Sequence, residues 1–458
     1  MTTPTERIDD ALAGFYGGRP WLLALEVLQS WPMMHGPLAR YGVERCFVLA
    51  ARYGVGDLPD DQLVDWHCLD IGPARDLMHA LHGSERALRD LPDEVLARID
   101  AVDPDRRMHA MGVFFGNGQP VAGRPMVGAR PAAWQALEDK VVIDAVFDAA
   151  GVDRSPSETV PVSLSELTAA AARLDRGQGT VWAGDAREGF HGGAARTRWV
   201  VTPDEAEAAA ALLAPHHDLA RVMPFLEGIP CSVHGLVFPD GVVVLRPAEM
   251  LVLRRGHHLV YARAATFWDP PDAGREQLRD VARRVGEHLR STLDYRGAFT
   301  VDGVMTAEGF RPTELNPRVG AAMGMMVPDL PMSLLHYALI ERVELGVGAA
   351  ELEEELLARA DAERHGSFGL NTPVRLPAGS TGLRWVDGAW QATDDDAPDA
   401  TARWGAGATG GFLNVKPRPE CVEVGPSFAP RVAAFAAWAD EHLGAQIGPL
   451  QVAREMAG

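Results

Sequence analysis

The sequence predicts an α/β chain with α+β character, and three observations carry that expectation. Short apolar runs suited to strands alternate with stretches of helical periodicity. Two strand pairs close on glycine-bearing turns, at Pro239-Asp240-Gly241 and at Ala307-Glu308-Gly309. A helix is predicted over 275–293, where Leu278, Val281, Val285, Leu289 and Leu293 form one apolar stripe that packs against the sheet and leads into the second pair.

With 458 residues, roughly three domains are expected. A composition of 47% hydrophobic and 23% charged residues is that of a water-soluble globular protein. The formal charge of −20 argues against a nucleic-acid backbone as a standing partner and favours a small or cationic substrate. Cys46, Cys68, Cys231 and Cys421 are widely separated, without C-x-x-C or Cys/His ligand spacing, as expected of free thiols in a reducing compartment. The opening MTTPTERIDDALAGF is acidic where a signal peptide is basic, and no run approaches the ~20 apolar residues of a membrane span. A cytoplasmic protein without a membrane partner is expected, and a homo-oligomer is left open.

Residues 1–130 read as an α/β unit: 20–29 as a helix, 45–50 (RCFVLA) and 108–115 (MHAMGVFF) as strands. Neither G-x-G-x-x-G nor a Walker A lysine occurs. Residues 134–151 read as one helix closed by Gly151 and carrying Lys140. The stretch 176–195, RGQGTVWAGDAREGFHGGAA, is the richest in glycine. Its Gly184, Gly192 and Gly193 amides either wrap an anionic phosphate or belong to a plain flexible loop. A turn at 239–241 joins strands over 231–238 and 242–251. The RPAEMLVLRRGHHLVYARAA segment follows, with Arg246, Arg254, Arg255 and Arg263. These guanidinium forks suit either an acid substrate or ordinary salt bridges. His257 and His258 lack a third ligand at metal spacing. The Met-rich segment after Arg318 shapes an apolar pocket or fills core gaps. Beyond 346, an acidic helix at 349–365, a hairpin at 382–392, an acidic loop at 394–399 and a helix at 429–443 make a small α+β appendage.

The chemistry concentrates in YRGAFTVDGVMTAEGFRPTELNPRVG, residues 295–320. Strands over 298–305 and 310–316, joined by a three-residue loop, set Thr306 opposite Phe310 and Asp302 opposite Glu314. The pleat then puts Asp302, Glu314 and Asn316 on one face, with Arg318 just past the end. Opposed carboxylates repel unless a cation lies between them, and two carboxylates with an amide oxygen suit Mg²⁺. Arg318 suits a phosphate or a developing oxyanion. The alternative is an ordinary solvated hairpin face.

An aspartate, a glutamate twelve residues on, then x-N-P-R-x-G, preceded by Tyr295-Arg296-Gly297, resembles the metal-binding end of the ATP-grasp fold. The resemblance implies that Asp302, Glu314 and Asn316 hold Mg²⁺ (or Mn²⁺) on ATP, with Arg318 touching the transferred group and Arg296 as a further catalytic residue. It also implies that Lys140 meets nucleotide phosphate. The 221–233 stretch, RVMPFLEGIPCSV, resembles the strand-hinge-strand that reads adenine, implying backbone contacts from Met223, Phe225 and Leu226 and a ribose contact from Glu227; the three apolar residues read equally as core. The chain departs from the family at Val181-Trp182-Ala183, which lacks the usual second phosphate-binding lysine; Arg187 and Arg196 are the candidate substitutes.

On this resemblance 1–130 is an N-terminal pre-ATP-grasp α/β domain and 131–220 the small lid subdomain. Residues 221–345 are the core, and 346–458 the C-terminal appendage. The implied activity is an ATP-dependent carboxylate–amine ligase forming amide or peptide bonds through an acylphosphate, with a small carboxylic acid and an amine (amino acid or peptide) as substrates. The chain looks most like the peptide ligases of actinobacterial natural-product pathways, such as the pheganomycin-type ligase. A biotin-carboxylase-like enzyme and a non-catalytic nucleotide-binding scaffold are the alternatives.

Overall fold

The computed structural model describes residues 2–112, 118–189, 191, 192 and 194–453, whose strands form three sheets. The first is parallel, built from β1 Pro20–Val27, β2 Arg45–Arg52, β3 Asp65–Cys68 and β4 His109–Met111 in the order β3-β2-β1-β4. Residues 20–29, expected as a helix, therefore supply a central strand. Trp21 and Leu23 face one apolar cluster while Leu22 and Ala24 face another. A strand buried on both faces shows no polar alternation, so its short apolar run looks the same as a buried helix. The expected 108–115 strand begins in β4, and its residues 113–115 lie outside the described residues.

The second sheet is antiparallel: β5 Glu158–Pro161, β6 Thr180–Gly184, β7 Thr197–Val200 and β8 Leu219–Pro224, in the order β5-β8-β6-β7. Helices Leu164–Leu174 and Pro203–Leu213 cover it, the second opened by a capping box between Thr202 and Glu205.

Before this sheet, the single helix expected over 134–151 is broken. Ala132–Gln135 and the 3₁₀ turn Ala136–Glu138 are separated from Ile143–Ala149 by an extended Asp139 (φ −72°, ψ 124°). Trp134, Leu137, Ile143 and Phe147 still reach one core, so the apolar periodicity survives the break. What it changes is the direction of Lys140.

The third sheet holds eleven strands. Its first half is β9 Ile229–Val237, β10 Val242–Val244, β11 Ala248–Arg255, β12 His258–Ala265, β13 Gly297–Thr306 and β14 Gly309–Asn316. Its second half is β15 Gly366–Thr372, β16 Gly379–Val386, β17 Ala389–Thr393, β18 Ala400–Gly407 and β19 Gly410–Pro417. The order β14-β13-β9-β11-β12-β15-β19-β18-β16-β17, with β10 also on β9, carries the 366–417 strands into the same sheet as the core. The strand expected over 242–251 is split into β10 and β11 around Pro247, which has no N–H for a ladder.

Helix Asp272–Leu293 lies against β9, β13 and β14 and buries Leu278, Val281, Val285 and Leu289, as its stripe predicts; Leu293 is partly buried. Each such side chain contributes ~1.5–3 kcal/mol, against ~0.3–0.5 kcal/mol for an exposed pair such as Arg284–Asp280, so apolar burial holds the helix on the sheet. The helix covers the face bearing Phe299, Val301 and Leu315. The other face is left for chemistry.

Candidate active site

Asp302 pairs with Glu314, and Thr300 with Asn316, across β13 and β14. On the other side Asp302 pairs with Ser232 and Thr300 with His234 of β9. Two polar rungs thus cross three strands on one face: Ser232–Asp302–Glu314 and His234–Thr300–Asn316. The loop differs from expectation. Thr306 pairs with Gly309 rather than Phe310, and Thr313 is an extra residue in a bulge beside Gly303. The tighter turn and the bulge offset one another, so Asp302 still meets Glu314, and Gly309 has the positive φ (+102°) that the turn requires.

These side chains converge. Ser232 Oγ donates to Asp302 Oδ1 (2.6 Å) and Asn316 Nδ2 to Asp302 Oδ2 (2.8 Å). Lys140, aimed inward by the helix break, ion-pairs with Glu314. Arg318 donates to Asn316 Oδ1 (3.1 Å) and lies 3.3 Å from Glu138 Oε1, which also accepts from Arg130 (2.6 Å). Gly320 closes the loop past Arg318; a Cβ there would come within 2.6 Å of the His234 ring.

Burial, then repulsion from Glu314, pushes Asp302 well above the usual carboxylate range. Burial alone would also raise Glu314, but the Lys140 ammonium, helped by Arg318, reverses the sign and holds it below the usual carboxylate range. The site is therefore short of positive charge at Asp302. Among the described residues no three His, Cys, Asp or Glu side chains gather as a complete metal cage. Two carboxylates and one amide oxygen with a charge deficit fit a hard divalent cation that keeps its remaining positions for water and phosphate oxygens. Asp302, Glu314 and Asn316 are the residues that would hold it.

Around the cluster stand groups that sequence reasoning passed over. His191, in the glycine-rich loop, has Nε2 3.0 Å from the Gly184 carbonyl; burial, then Lys140, lowers its pKa to about 4. Tyr261 of β12 lies within electrostatic reach of Asp302, Arg318 and Glu314. His234 hydrogen-bonds Thr300 through Nδ1 (2.9 Å), and burial keeps its ring neutral, lowered to about 3.

Several sequence expectations are corrected. Arg296 pairs with Asp294 (3.1 Å) and donates to the Tyr295 carbonyl at the start of β13, outside the cluster. Arg246 is buried between Asp269 (2.7 Å) and Asp361, Arg254 forks onto both Glu227 oxygens (3.0 and 2.7 Å), and Arg255 donates to the Ile447 carbonyl. None of these three joins the cluster. Gly184 spends its N–H on the Arg196 carbonyl (3.3 Å), and its missing side chain makes room for His217 rather than for phosphate. Arg187 is held by Asp218 (2.7 Å), while Arg196 lies among Asp76, Glu188 and Arg198, so neither replaces the lid lysine at the cluster. Gly192 lies beside His191, and Gly193 is outside the described residues.

The 223–227 stretch is assembled as a group of its own. Met223 is buried in β8, Phe225 stacks on Trp199 (centroids 3.9 Å apart), and the Arg254 guanidinium sits over both rings. Leu226 is half-buried between Phe225 and Glu227.

No protein-family model matches the chain. The curated D-alanine–D-alanine ligase of Frankia casuarinae is 28% identical over 235 residues, which cover 48% of this chain and 60% of that protein. The chain thus spans less than two thirds of that relative's length. Among solved structures, the biotin carboxylase domain of the Hydrogenobacter thermophilus 2-oxoglutarate carboxylase, in complex with MgADP, ADP and bicarbonate, superposes with a TM-score of 0.53 at 13% identity. That match covers 88% of this chain and 86% of that one. The carboxyaminoimidazole ribonucleotide synthase of Aspergillus clavatus complexed with ATP gives 0.50 at 12% identity, over 88% and 94%. With its parallel N-terminal sheet, small antiparallel sheet and large sheet bearing the carboxylate pair, the chain has the ATP-grasp fold.

Proposed function

We propose that this protein is an ATP-dependent ligase that joins a carboxylic acid to an amine through an acylphosphate. The observation that carries this reading is the cross-strand cluster of Asp302, Glu314 and Asn316, with Lys140 on one carboxylate and Arg318 held beside the amide. Likeness over 235 residues to a protein named for joining two D-alanines supports the same class of reaction.

In the first step a carboxylate oxygen of the acid attacks the terminal phosphorus of ATP, and ADP leaves. In the second the amine nitrogen attacks the acyl carbon, inorganic phosphate leaves, and the amine gives up a proton. Magnesium, when bound, supplies charge neutralisation on the phosphates. Asp302, Glu314 and Asn316 would hold the cation, and Lys140, once released from Glu314, would turn its ammonium to a phosphate oxygen. Arg318, fixed by Glu138 and Asn316, presents a guanidinium that cannot deprotonate to the acid being activated and to the oxyanion formed on amine attack. Phe225, Leu226 and Glu227, with Met223 behind them, line the place of the adenosine. No nucleophilic side chain is required; the chain's work is positioning and electrostatics.

The test is ADP release with Mg²⁺ over a panel of amino acids and short peptides as acid and amine. Glu314→Ala and Asn316→Ala are expected to lower substrate-stimulated release by roughly 100-fold or more. Turnover left intact in both variants would remove the site assignment. Stimulation by bicarbonate with biotin, in place of acid with amine, would replace ligation by carboxylation.

A further inference from the structure

Strand β12 carries a local irregularity that the ligase reading leaves unexplained. Met250 pairs with Ala264 but Val252 pairs with Tyr261, so Ala262 and Arg263 together face Leu251. In this bulge Arg263 adopts φ +90°, a conformation that a residue with a side chain rarely enters. Strained residues in bulges next to functional sites commonly re-aim a side chain. Here Ala262 turns into the core, 1% exposed, while Arg263 and Tyr261 are both exposed.

Tyr261 lies within electrostatic reach of Asp302, Arg318 and Glu314, and of Arg263. The Arg263 guanidinium has no carboxylate partner among the described residues; the hydrogen bond it makes there is a long one, 3.5 Å, to Ser367 Oγ. Of the arginines near it in sequence, Arg246 and Arg254 are paired with carboxylates and Arg255 donates to the Ile447 carbonyl, in a chain of net charge −20 where carboxylates are plentiful. A strained, exposed and carboxylate-free guanidinium, next to a tyrosine within electrostatic reach of the cluster, is a recognition group awaiting an anion.

We propose that Arg263, with the Tyr261 hydroxyl beside it, receives the carboxylate that the reaction leaves intact, so that the amine-bearing substrate is an α-amino acid or a peptide with a free C-terminus. The inference rests on the ligase reading and goes beyond it. The carboxylate being activated must lie against Arg318 and the transferred phosphoryl group. A second guanidinium set apart on β12 suits the other carboxylate, which a planar fork holds in two parallel hydrogen bonds.

The test compares amino acids with their C-terminal amides as amine substrates, in wild type and in Arg263→Gly, Arg263→Met and Arg263→Lys. Wild type is expected to show at least a tenfold lower KM for the acid form than for the amide. Arg263→Gly and Arg263→Met raise the KM of the acid form at least tenfold and leave the KM values of ATP and of the amide unchanged, while Arg263→Lys retains part of the preference. Glycine accepts φ +90°, so Arg263→Gly is expected to melt at or above the wild-type temperature, which separates lost recognition from misfolding. Equal use of acid and amide by wild type, or an unchanged acid KM in Arg263→Gly, overturns the inference. If wild type releases no ADP with any pair, the ligase reading fails by itself, and thermal shift with the same amino acids decides this one. A shift in wild type that is lost in Arg263→Gly sustains carboxylate capture. No shift, or an equal one, overturns it.

Discussion

Lys140→Met is expected to make the stability of the protein depend on magnesium. The Lys140 side chain is 10% exposed and its partner Glu314 29% exposed, and Glu314 stands directly opposite Asp302. Without the ammonium, two carboxylates oppose each other across the ladder, and Arg318 is left to lower both. Removing one member of a buried pair destabilises by ~3–5 kcal/mol; the partial exposure of Glu314 places this case at the low end, about 3 kcal/mol. A divalent cation that binds only the folded state, present at about 100 times its Kd, restores about 2.7 kcal/mol, nearly the whole loss. In wild type the cation must displace Lys140 from Glu314, so its gain is smaller. The assay is urea unfolding at pH 8 in EDTA and in MgCl₂, with NaCl matched for ionic strength to separate binding from screening. If Lys140→Met is destabilised equally in the two conditions, or not at all, the carboxylate pair is not a cation site.

Three further outcomes follow from the same contacts. Glu138→Gln releases the carboxylate shared by Arg130 and Arg318 and is expected to lower kcat for ADP release by ~10–100-fold with the KM of ATP nearly unchanged, read by steady-state kinetics. Arg246→Met breaks a buried network with Asp269 and Asp361 and should destabilise by about 3 kcal/mol in urea while leaving both substrate KM values alone. His336 Nδ1 accepts from the Ala298 N–H (2.9 Å), and burial lowers its pKa to about 3. The unfolded chain takes up that proton first, near pH 6.5, so this stability is complete above pH 6.5 and is lost as pH falls towards 3. The loss is ~1.4 kcal/mol per pH unit, and urea midpoints measured from pH 7 to 4.5 should fall less steeply in His336→Gln.

The parts of the fold legible in the sequence are those fixed by neighbours close along the chain. The stripe at Leu278, Val281, Val285 and Leu289 requires only the helical period, and the Asp302–Glu314 pairing only a short turn. Even there the register rests on two compensating departures, a turn one residue tighter and a bulge at Thr313 that restores the offset. The strand at Pro20–Val27 is not legible as one, because tertiary burial on both faces removes the alternation that marks a strand. The break at Asp139-Lys140 is hidden for a related reason: the apolar positions on either side still reach one core, and the partner that Lys140 meets is a carboxylate on a strand distant in sequence.

The same distinction governs the site. Asp302, Glu314 and Asn316 lie on one hairpin, and a turn of two residues is enough to bring them together. Ser232 and His234 were equally within reach, since polar residues two apart in the apolar strand IPCSVHGLV mark one face of a pleat, the face that pairs with Asp302 and Thr300. The arginines could not be sorted that way. Arg246 and Arg254 owe their occupation to Asp361 and Glu227, 115 and 27 residues away, and identical side chains in one basic run therefore end in opposite states. What separates Arg263 from them is a backbone irregularity, because a one-residue shift between β11 and β12 reverses which way a side chain points. Guanidiniums clustered in sequence state how much positive charge a region holds; where any one of them acts is set by strand register.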